Sequence, residues 1–170
     1  MDKRYNNYHK HTHISTLFAT VDSNTHTIDY INRCKELCER NYWTTEHGTV
    51  GDVFEANTLC EQNNIHCKAA LEGYIVTDPL SKDSNNYHIL LIPRTNVARK
   101  RLNKANSRAN KEGFYYKPRL FLEDILAFKK DELYITSACM AGLLSTEDSV
   151  DNILMLSLIH ISEPTRRVVI

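Results

Sequence analysis

Net charge, long apolar runs and paired cysteines are all missing from this chain of 170 residues. Lysine plus arginine and aspartate plus glutamate number 21 each, so bulk charge favours no particular class of partner. No stretch approaches the roughly 20 apolar residues that cross a bilayer. Since the N-terminus also has no apolar run, neither a membrane span nor a signal peptide is expected.

The cysteines number five and include no C-x-x-C pair. An odd count without such pairs favours reduced thiols in a cytoplasmic protein over a disulfide framework. Cys34 and Cys38 lie four residues apart on a predicted helix, where small buried apolar side chains are a better interpretation than metal ligands. The length and the 42% apolar content suit one domain with a core of its own.

Apolar patterning predicts strands alternating with helices. The strands are expected at residues 5–9, 42–45, 65–76, 87–92 and 133–137, and the helices after a cap at Thr27, at Val53–Gln62, at 95–112 and at 122–129. Residues 78–86 are polar without periodicity and are predicted to be a loop. The predicted buried faces are Ile31, Cys34, Leu37 and Cys38 on the helix after Thr27, and Ala98, Leu102, Ala105 and Ala109 on the helix at 95–112. This order predicts an α/β fold built on a parallel sheet or barrel.

Side chains that bind metals recur beside the short apolar stretches. His9 and His11 belong to an H-x-H-T-x-x-S run that ends at Ser15, and their alternation places both imidazoles on one side of an extended chain. Further candidates follow one at a time, as Glu46-His47, Glu72, His88 and Cys139. Ligands that stand singly at strand ends predict one cluster at one rim of a sheet or barrel.

Imidazole and carboxylate ligands together suit Zn, Mn or Fe better than Mg or Ca. Because one ion needs about three or four protein ligands, the number of candidates suggests two or three ions, with Glu72 able to bridge them. Such ions activate water and hold the oxygens of a phosphate, so phosphoester hydrolysis is the expected chemistry. Single histidines are usually ordinary surface or core residues, so His13, His26 and His66 are weaker candidates.

Two further segments point to a family. Residues 112–119 read EGFYYKPR and resemble a G-[FY]-Y-x-K-P-R segment, while residues 136–142 read TSACMAG and resemble L-S-A-C-L-A-G. With the H-x-H lead, residues 5–154 resemble the PHP (polymerase and histidinol phosphatase) domain at the N-terminus of bacterial replicative DNA polymerase III alpha subunits. The tyrosine-rich lead is most similar to divergent or phage-type versions of that domain.

The resemblance assigns a role to each ligand candidate. His47 matches the histidine of a T-D-H-G motif in which Glu46 replaces the aspartate, a departure that affects the groups around the ligands. Asp22 matches an aspartate that ends the H-x-H motif, after a loop of different length. The implied metal ligands are His9, His11, Asp22, His47, Glu72, His88 and Cys139.

The resemblance also implies an incomplete distorted (β/α)7 barrel over residues 1–154. The family's final D-x-H ligand pair has no match, and the polymerase catalytic carboxylates are absent. Residues 157–167 resemble translated sequencing-adapter DNA, so residues 155–170 are expected to be a non-native tail whose His160 serves no site. A chain interrupted there is expected to be poorly soluble and inactive, because the barrel stays open.

The sequence is compatible with several functions. The resemblance implies part of a DNA-directed DNA polymerase that carries a metal-dependent phosphoesterase or 3′–5′ exonuclease site. Its implied partners are DNA and other replicative polymerase subunits in the cytoplasm, with no membrane. A structural PHP module without activity is one alternative. A free-standing small-molecule phosphatase is another, against which the EGFYYKPR segment counts.

A basic run between Arg94 and Arg119 holds nine lysines and arginines and one acid, Glu112. A solvated helix face is the favoured interpretation, and a surface that contacts nucleic-acid phosphates is the functional one. Tyr115 and Tyr116 suit stacking on a single-stranded base, although packing is favoured for them too. The candidate phosphate contacts are Arg99, Lys100, Lys104, Arg108, Lys117 and Arg119.

Overall fold

A computed structural model describes residues 7–18, 22–76, 78–82, 84, 86–129, 131–139 and 142. The chain divides into two compact units, Met1–Leu71 and Glu72–Ile170. A two-stranded sheet lies in the first unit, and a five-stranded sheet begins at the unit boundary and belongs to the second. Within the described residues, no helix has the length and apolarity needed to cross a membrane.

The first unit is a βαβ arrangement preceded by a helix. The unit begins with a 3₁₀ turn at His13–Leu17. The elements that follow are α1 (Thr27–Glu36), β1 (Asn41–Thr44), α2 (Val53–Gln62) and β2 (His66–Ala69). Strands β1 and β2 run parallel, in a register that pairs Asn41 with His66. The core between helices and strands is made of Ile31, Cys34, Tyr42, Ala56, Cys60 and Ile65.

The helix α1 differs in detail from its prediction. It begins at Thr27 rather than after it, and the backbone N–H of His26 donates to Asp29 Oδ2 at 3.1 Å. Ile31 and Cys34 are buried as expected, but Leu37 is 48% exposed and Cys38 is exposed. The predicted apolar face is therefore only half right, because the helix ends at Glu36 before it can turn the last two inward.

Two ionisable side chains lie within the first unit's interior. Lys10 and Asp52 are 7% and 1% exposed, and Lys10 Nζ lies 4.0 Å from the centre of the Tyr42 ring. Burial lowers the pKa of Lys10. Burial first, and then the nearby Glu46 carboxylate, raises the pKa of Asp52 to about 8. Asp52 therefore keeps its proton at neutral pH.

The second unit is built on a mixed sheet. Its elements are β3 (Leu71–Ile75), β4 (Tyr87–Pro93), α3 (Asn96–Lys111), β5 (Phe114–Tyr115), β6 (Lys117–Leu120), α4 (Leu122–Leu126) and β7 (Leu133–Ser137). The strand order is β5-β6-β3-β4-β7. Thr95 caps α3 by accepting from the Ala98 N–H at 3.0 Å. The inward face predicted for α3 is confirmed, because Ala98, Leu102, Ala105 and Ala109 are all buried.

The mixed α/β class agrees with the prediction, but several details of the sheets do not. The β1–β2 and β3–β6 pairings are parallel, whereas β4–β7 and β5–β6 are antiparallel, so the expected parallel sheet is found only in part. The predicted strand at 65–76 divides at Ala70, because β2 and β3 belong to different sheets. Residues 7–9 form no strand, residues 5 and 6 lie outside the described part, and the helix predicted at 122–129 ends at Leu126.

No closed barrel is found among the described residues, whose strands form two open sheets. Apart from residue 142, residues 140–170 lie outside the description, and so does the adapter-like tail. Burial patterns along a strand report which face is apolar and not which strand lies next to it. Pairing direction and closure therefore depend on contacts between distant segments.

The hairpin of β5 and β6 is anchored by a buried arginine. Arg119 is 2% exposed, and its guanidinium donates to the carbonyl oxygens of Gly113 at 3.0 Å and Ser81 at 2.7 Å. It also donates to the Pro79 carbonyl. A Cβ atom on Gly113 would clash with the Arg119 carbonyl oxygen, so only glycine allows this close approach.

Replacing Gly113 with alanine should lower the free energy of unfolding by about 1–3 kcal/mol, because the methyl group overpacks against backbone. Urea denaturation of the wild type and the Gly113→Ala variant measures the difference. Gly51→Ala is the control, since its nearest neighbour, Thr49 Oγ1, would lie 3.3 Å from the added Cβ. Equal losses in the two variants would contradict the argument.

Replacing Asp52 with asparagine should stabilise the protein increasingly as pH rises from about 4 to about 8. The folded pKa is about 8 and the ordinary value is 3.8, so across this range the unfolded chain loses a proton that the folded chain keeps. Wild-type stability therefore falls as pH rises, and asparagine removes that dependence. Urea denaturation at several pH values tests this, with Glu55→Gln, on the exposed face of α2, as the control.

Candidate metal centre

A threonine at the end of β1 holds the H-x-H segment in place. Thr45 Oγ1 accepts from the Lys10 N–H at 2.9 Å and donates to the Lys10 carbonyl oxygen at 2.7 Å. Both main-chain groups of Lys10 are thereby satisfied. Because side chains alternate along an extended chain, burying Lys10 leaves His9 and His11 on the opposite side.

A buried carboxylate organises the residues that follow. Glu46 is 1% exposed and accepts from the Thr12 N–H at 3.0 Å and from the Ser15 hydroxyl at 2.5 Å. The same Ser15 oxygen accepts from the His47 N–H at 3.0 Å and lies 3.2 Å from His11 Nδ1. One carboxylate thus fixes the backbone after His11 and the hydroxyl that bonds to His47.

Three of the predicted ligands meet beside this network. The Asp22 Oδ2 atom lies 3.6 Å from His11 Nδ1 and 3.7 Å from His47 Nε2. The His11 and His47 rings are stacked, with centroids 4.2 Å apart and planes 3° from parallel. Their side chains are 20% and 7% exposed, and that of Asp22 is 25% exposed, so the group faces a partly open surface.

This spacing fits a metal ion. Ligand atoms at roughly 2.1 Å from a tetrahedral ion lie about 3.4 Å from one another, close to the two distances to Asp22. One donor atom from each of His11, Asp22 and His47 lies within 4.8 Å of the others. Two imidazoles and one carboxylate are a donor set suited to Zn, Mn or Fe. The residues present therefore fit a divalent transition-metal ion.

The other histidines of the first unit differ in their surroundings. The His9 ring lies edge-on to that of His11, with centroids 5.0 Å apart. His13 and His26 contact each other instead, at 4.1 Å between centroids, and His66 is exposed on β2. Among the described residues, none of these last three belongs to a group with metal-binding spacing.

The second unit brings its three predicted ligands together. Glu72 lies on β3, His88 on β4, and Cys139 just beyond β7. His88 Nδ1 is 2.8 Å from Glu72 Oε1 and 3.3 Å from Cys139 Sγ. The antiparallel register that pairs Ile89 with Ser137 places the end of β7 beside the start of β4. The Glu72 side chain is 1% exposed and that of His88 is 14% exposed.

The structure also places side chains whose role the sequence pattern did not indicate. Thr45, which bonds to both main-chain groups of Lys10, carries no signal beyond a threonine at a strand end. Ser15 and Glu46 belong to recognised motifs, yet their mutual hydrogen bond spans 31 residues of chain. Contacts of that kind depend on how the 3₁₀ turn and β1 pack, which no local spacing encodes.

The basic candidates are divided by their environments. Arg119 is buried on main-chain carbonyls, a placement that favours a structural role. Arg108 donates to the carboxylates of Glu123, Glu112 and Asp124. The hydrogen bonds to Glu123 and then to Glu112 raise the pKa of Arg108. Lys117 Nζ lies 4.5 Å from the centre of the Tyr74 ring. Lys100 and Lys104 are exposed, and Arg99 is half-buried.

The amino-acid sequence of this chain is similar to those of known proteins. The sequence profile of the PHP domain matches residues 8–151. DNA polymerase III subunit alpha from Borreliella burgdorferi is 27% identical over 142 residues, which cover 79% of this chain and 12% of that protein. The Aquifex aeolicus DNA polymerase III subunit alpha is 26% identical over 154 residues, covering 84% of this chain and 13% of that protein. The chain thus spans about an eighth of these relatives' length.

Replacing Glu46 with glutamine should weaken metal binding about 10- to 100-fold, the usual effect of losing a group that orients ligands. The amide keeps one acceptor oxygen but places its NH2 group against either the Thr12 N–H or the Ser15 hydroxyl, so the network that positions His11 and His47 is weakened. Calorimetric titration with Mn²⁺ measures the affinity. Glu36→Gln, which disturbs only an exposed pair with Arg33, is the matched control. Unchanged Mn²⁺ affinity in Glu46→Gln would contradict the role given to this carboxylate.

Proposed function

The chain belongs to the PHP domain family, whose profile matches residues 8–151, and from this premise we propose that it is a metal-dependent phosphoesterase module of a replicative DNA polymerase III alpha subunit. The observation that carries this proposal is the group His11, Asp22 and His47, whose donor atoms have the spacing of metal ligands. The relatives, which are DNA polymerase III alpha subunits, supply the biological setting.

The side chains have distinct tasks in this proposal. His11, Asp22 and His47 hold an ion in the first unit, with His9 next to them. A bound divalent ion supplies acidity to water and neutralises charge on a phosphate. The Glu46 carboxylate and the Ser15 hydroxyl keep His11 and His47 in place, so little reorganisation accompanies binding.

We further infer that Glu72, His88 and Cys139 serve the same metal centre as the ligands of the first unit. Their donor set includes a thiol and an imidazole, which favours Zn or Fe over Mg. A shared centre of two or three ions with Glu72 as a bridge agrees with the order in which the family's motifs occur along the chain. The proposed complete fold is the family's distorted (β/α)7 barrel, of which residues 1–154 form part and after which residues 155–170 are a non-native tail.

The proposed substrate is the phosphodiester at the 3′ end of a DNA strand, as in 3′–5′ exonuclease proofreading. The proposed partners are DNA and the other polymerase subunits, in the cytoplasm. The polymerase activity itself belongs to the rest of such a subunit, because this chain spans 12–13% of the relatives' length. If the chain binds ions but cleaves no phosphoester, it is instead a structural module without hydrolytic activity.

Replacing both His9 and His11 with alanine should abolish tight metal binding, since two ligands of the same centre are lost. Elemental analysis of purified wild type and variant measures bound Zn, Mn and Fe. His66→Ala is the control, because that imidazole is exposed on β2 and outside the candidate groups. Equal metal content in all three proteins would contradict the assignment.

Hydrolysis tests the activity separately. A 3′-labelled single-stranded oligonucleotide and p-nitrophenyl phosphate are offered with Mn²⁺ or Zn²⁺. Cleavage of the oligonucleotide alone supports the exonuclease proposal, whereas cleavage of the small phosphate alone favours a free-standing phosphatase. If all these ligands hold the same ions, Glu72→Gln and His88→Ala should each lose the metal that the His9→Ala/His11→Ala variant loses. Retention of that metal in both would show that the two ligand groups act independently.

A further inference from the structure

The hairpin of β5 and β6 divides its residues between the interior and the surface. Tyr115 pairs with Lys117 across a turn of one residue, Tyr116. The Arg119 guanidinium carbon lies 5.2 Å from the centre of the Tyr115 ring, and Pro118 and Arg119 are buried. Tyr116, in contrast, is 76% exposed. The inner residues explain how the hairpin is held, and they leave the tip without a structural task.

The tip itself is strained. Tyr116 has a φ of 58°, in the left-handed region that a bulky side chain rarely adopts. Its ring makes an edge contact with Tyr115 at 4.6 Å between centroids. An exposed aromatic ring held in an unfavourable backbone conformation points to a functional constraint, because glycine would form the same turn with less strain. Phe114 is also 51% exposed on the same hairpin.

A cationic stripe on α3 runs up to this hairpin. Lys100, Lys104 and Lys111 lie 4 and 7 residues apart, which places them within about 40° of one another around a helix of 3.6 residues per turn. All three are exposed, and in the part of the chain that the structure describes none of their ammonium groups has a hydrogen bond or an ion pair. The helix holds no acid between Asn96 and Lys111.

The neighbouring arginines of α3 differ from these lysines in their ion pairing, although Lys104 lines the same surface cavity as Arg101 and Arg108. Arg101 donates to Glu132 at 2.7 Å, and Arg108 donates to Glu123 at 2.6 Å, so their charges are balanced by carboxylates within the unit. Among the described residues, no carboxylate balances the three lysines in this way. The stripe is about 16 Å long at a rise of about 1.5 Å per residue, enough to follow several phosphates of an extended strand.

We propose that the α3 lysine stripe and the Tyr116 hairpin form a binding surface for single-stranded nucleic acid. A track of lysines without ion pairs among the described residues, with an exposed aromatic ring at the hairpin tip five residues after Lys111, matches the two terms of such binding, phosphate attraction and base stacking. An acidic protein segment would use the lysines but has no need of a strained, exposed tyrosine. This surface goes beyond the proposed hydrolysis, since it uses no metal ligand and operates without ions.

Fluorescence anisotropy of a labelled oligothymidylate, with EDTA present, tests the stacking term. Tyr116→Gly should bind about tenfold more weakly, and it should keep its fold because glycine suits the φ of 58°. Tyr116→Phe should bind like the wild type, since the ring is retained. Tyr134→Ala is the control, as Tyr134 is a 40% exposed tyrosine on β7, outside the surface.

The salt dependence tests the lysines. Removing Lys104 and Lys111 together should lower the slope of log affinity against log salt by about 1.4, at about 0.7 per phosphate contact in a single strand. The double variant Lys35→Ala/Lys68→Ala removes two exposed lysines of the first unit and should leave the slope unchanged.

Wild-type chain that binds no oligonucleotide at low salt would overturn the proposal and favour a protein partner for the hairpin. Equal affinity of the wild type and Tyr116→Gly would also overturn it. Because binding is measured in EDTA, loss of hydrolysis without loss of binding counts against the proposed enzyme activity alone. Conversely, cleavage of the oligonucleotide by a wild type whose affinity for it is unchanged by Tyr116→Gly counts against the binding surface alone.

Discussion

The buried carboxylate of Glu46 is the interaction on which the first unit's ligand group depends. It accepts from one main-chain N–H and from the Ser15 hydroxyl, and Ser15 in turn accepts from the His47 N–H. A buried charge is costly unless hydrogen bonds satisfy it, so each donor has a reason to remain where it is. His11 and His47 inherit their positions from that requirement, and their stacked rings face Asp22 as a result.

Other buried ionisable groups meet the same cost differently. Lys10 lies over the Tyr42 ring, and burial lowers its pKa. Asp52 escapes the cost by holding its proton, as its raised pKa indicates. In the second unit, Glu72 is buried beside His88, where an imidazole proton or a metal ion can balance the charge. Three solutions, namely donors, protonation and a partner side chain, thus coexist in one short chain.

The EGFYYKPR segment contains residues that hold the hairpin in place and one residue, Tyr116, that is exposed at its tip. Gly113 and Arg119 hold the hairpin, through a close backbone approach and through hydrogen bonds to carbonyls. Tyr116 is left outside at the turn, where packing gives it no reason to be aromatic. Arg119 was a candidate phosphate contact by charge alone, and its burial shows why charge without exposure is a poor guide. Lys111, outside the candidate set, joins the exposed stripe instead.

The sequence by itself determined the mixed α/β class, the bounds of α2, the buried face of α3 and the side chains that could bind metal, because each follows from local periodicity or residue chemistry. It could not determine that β4 and β7 run antiparallel, that the segment before β4 divides between two sheets, or that Thr45 and Ser15 bridge distant backbone. Those features come from contacts between residues far apart in the chain. Local spacing says which face of an element is apolar, and only tertiary packing decides what that face meets.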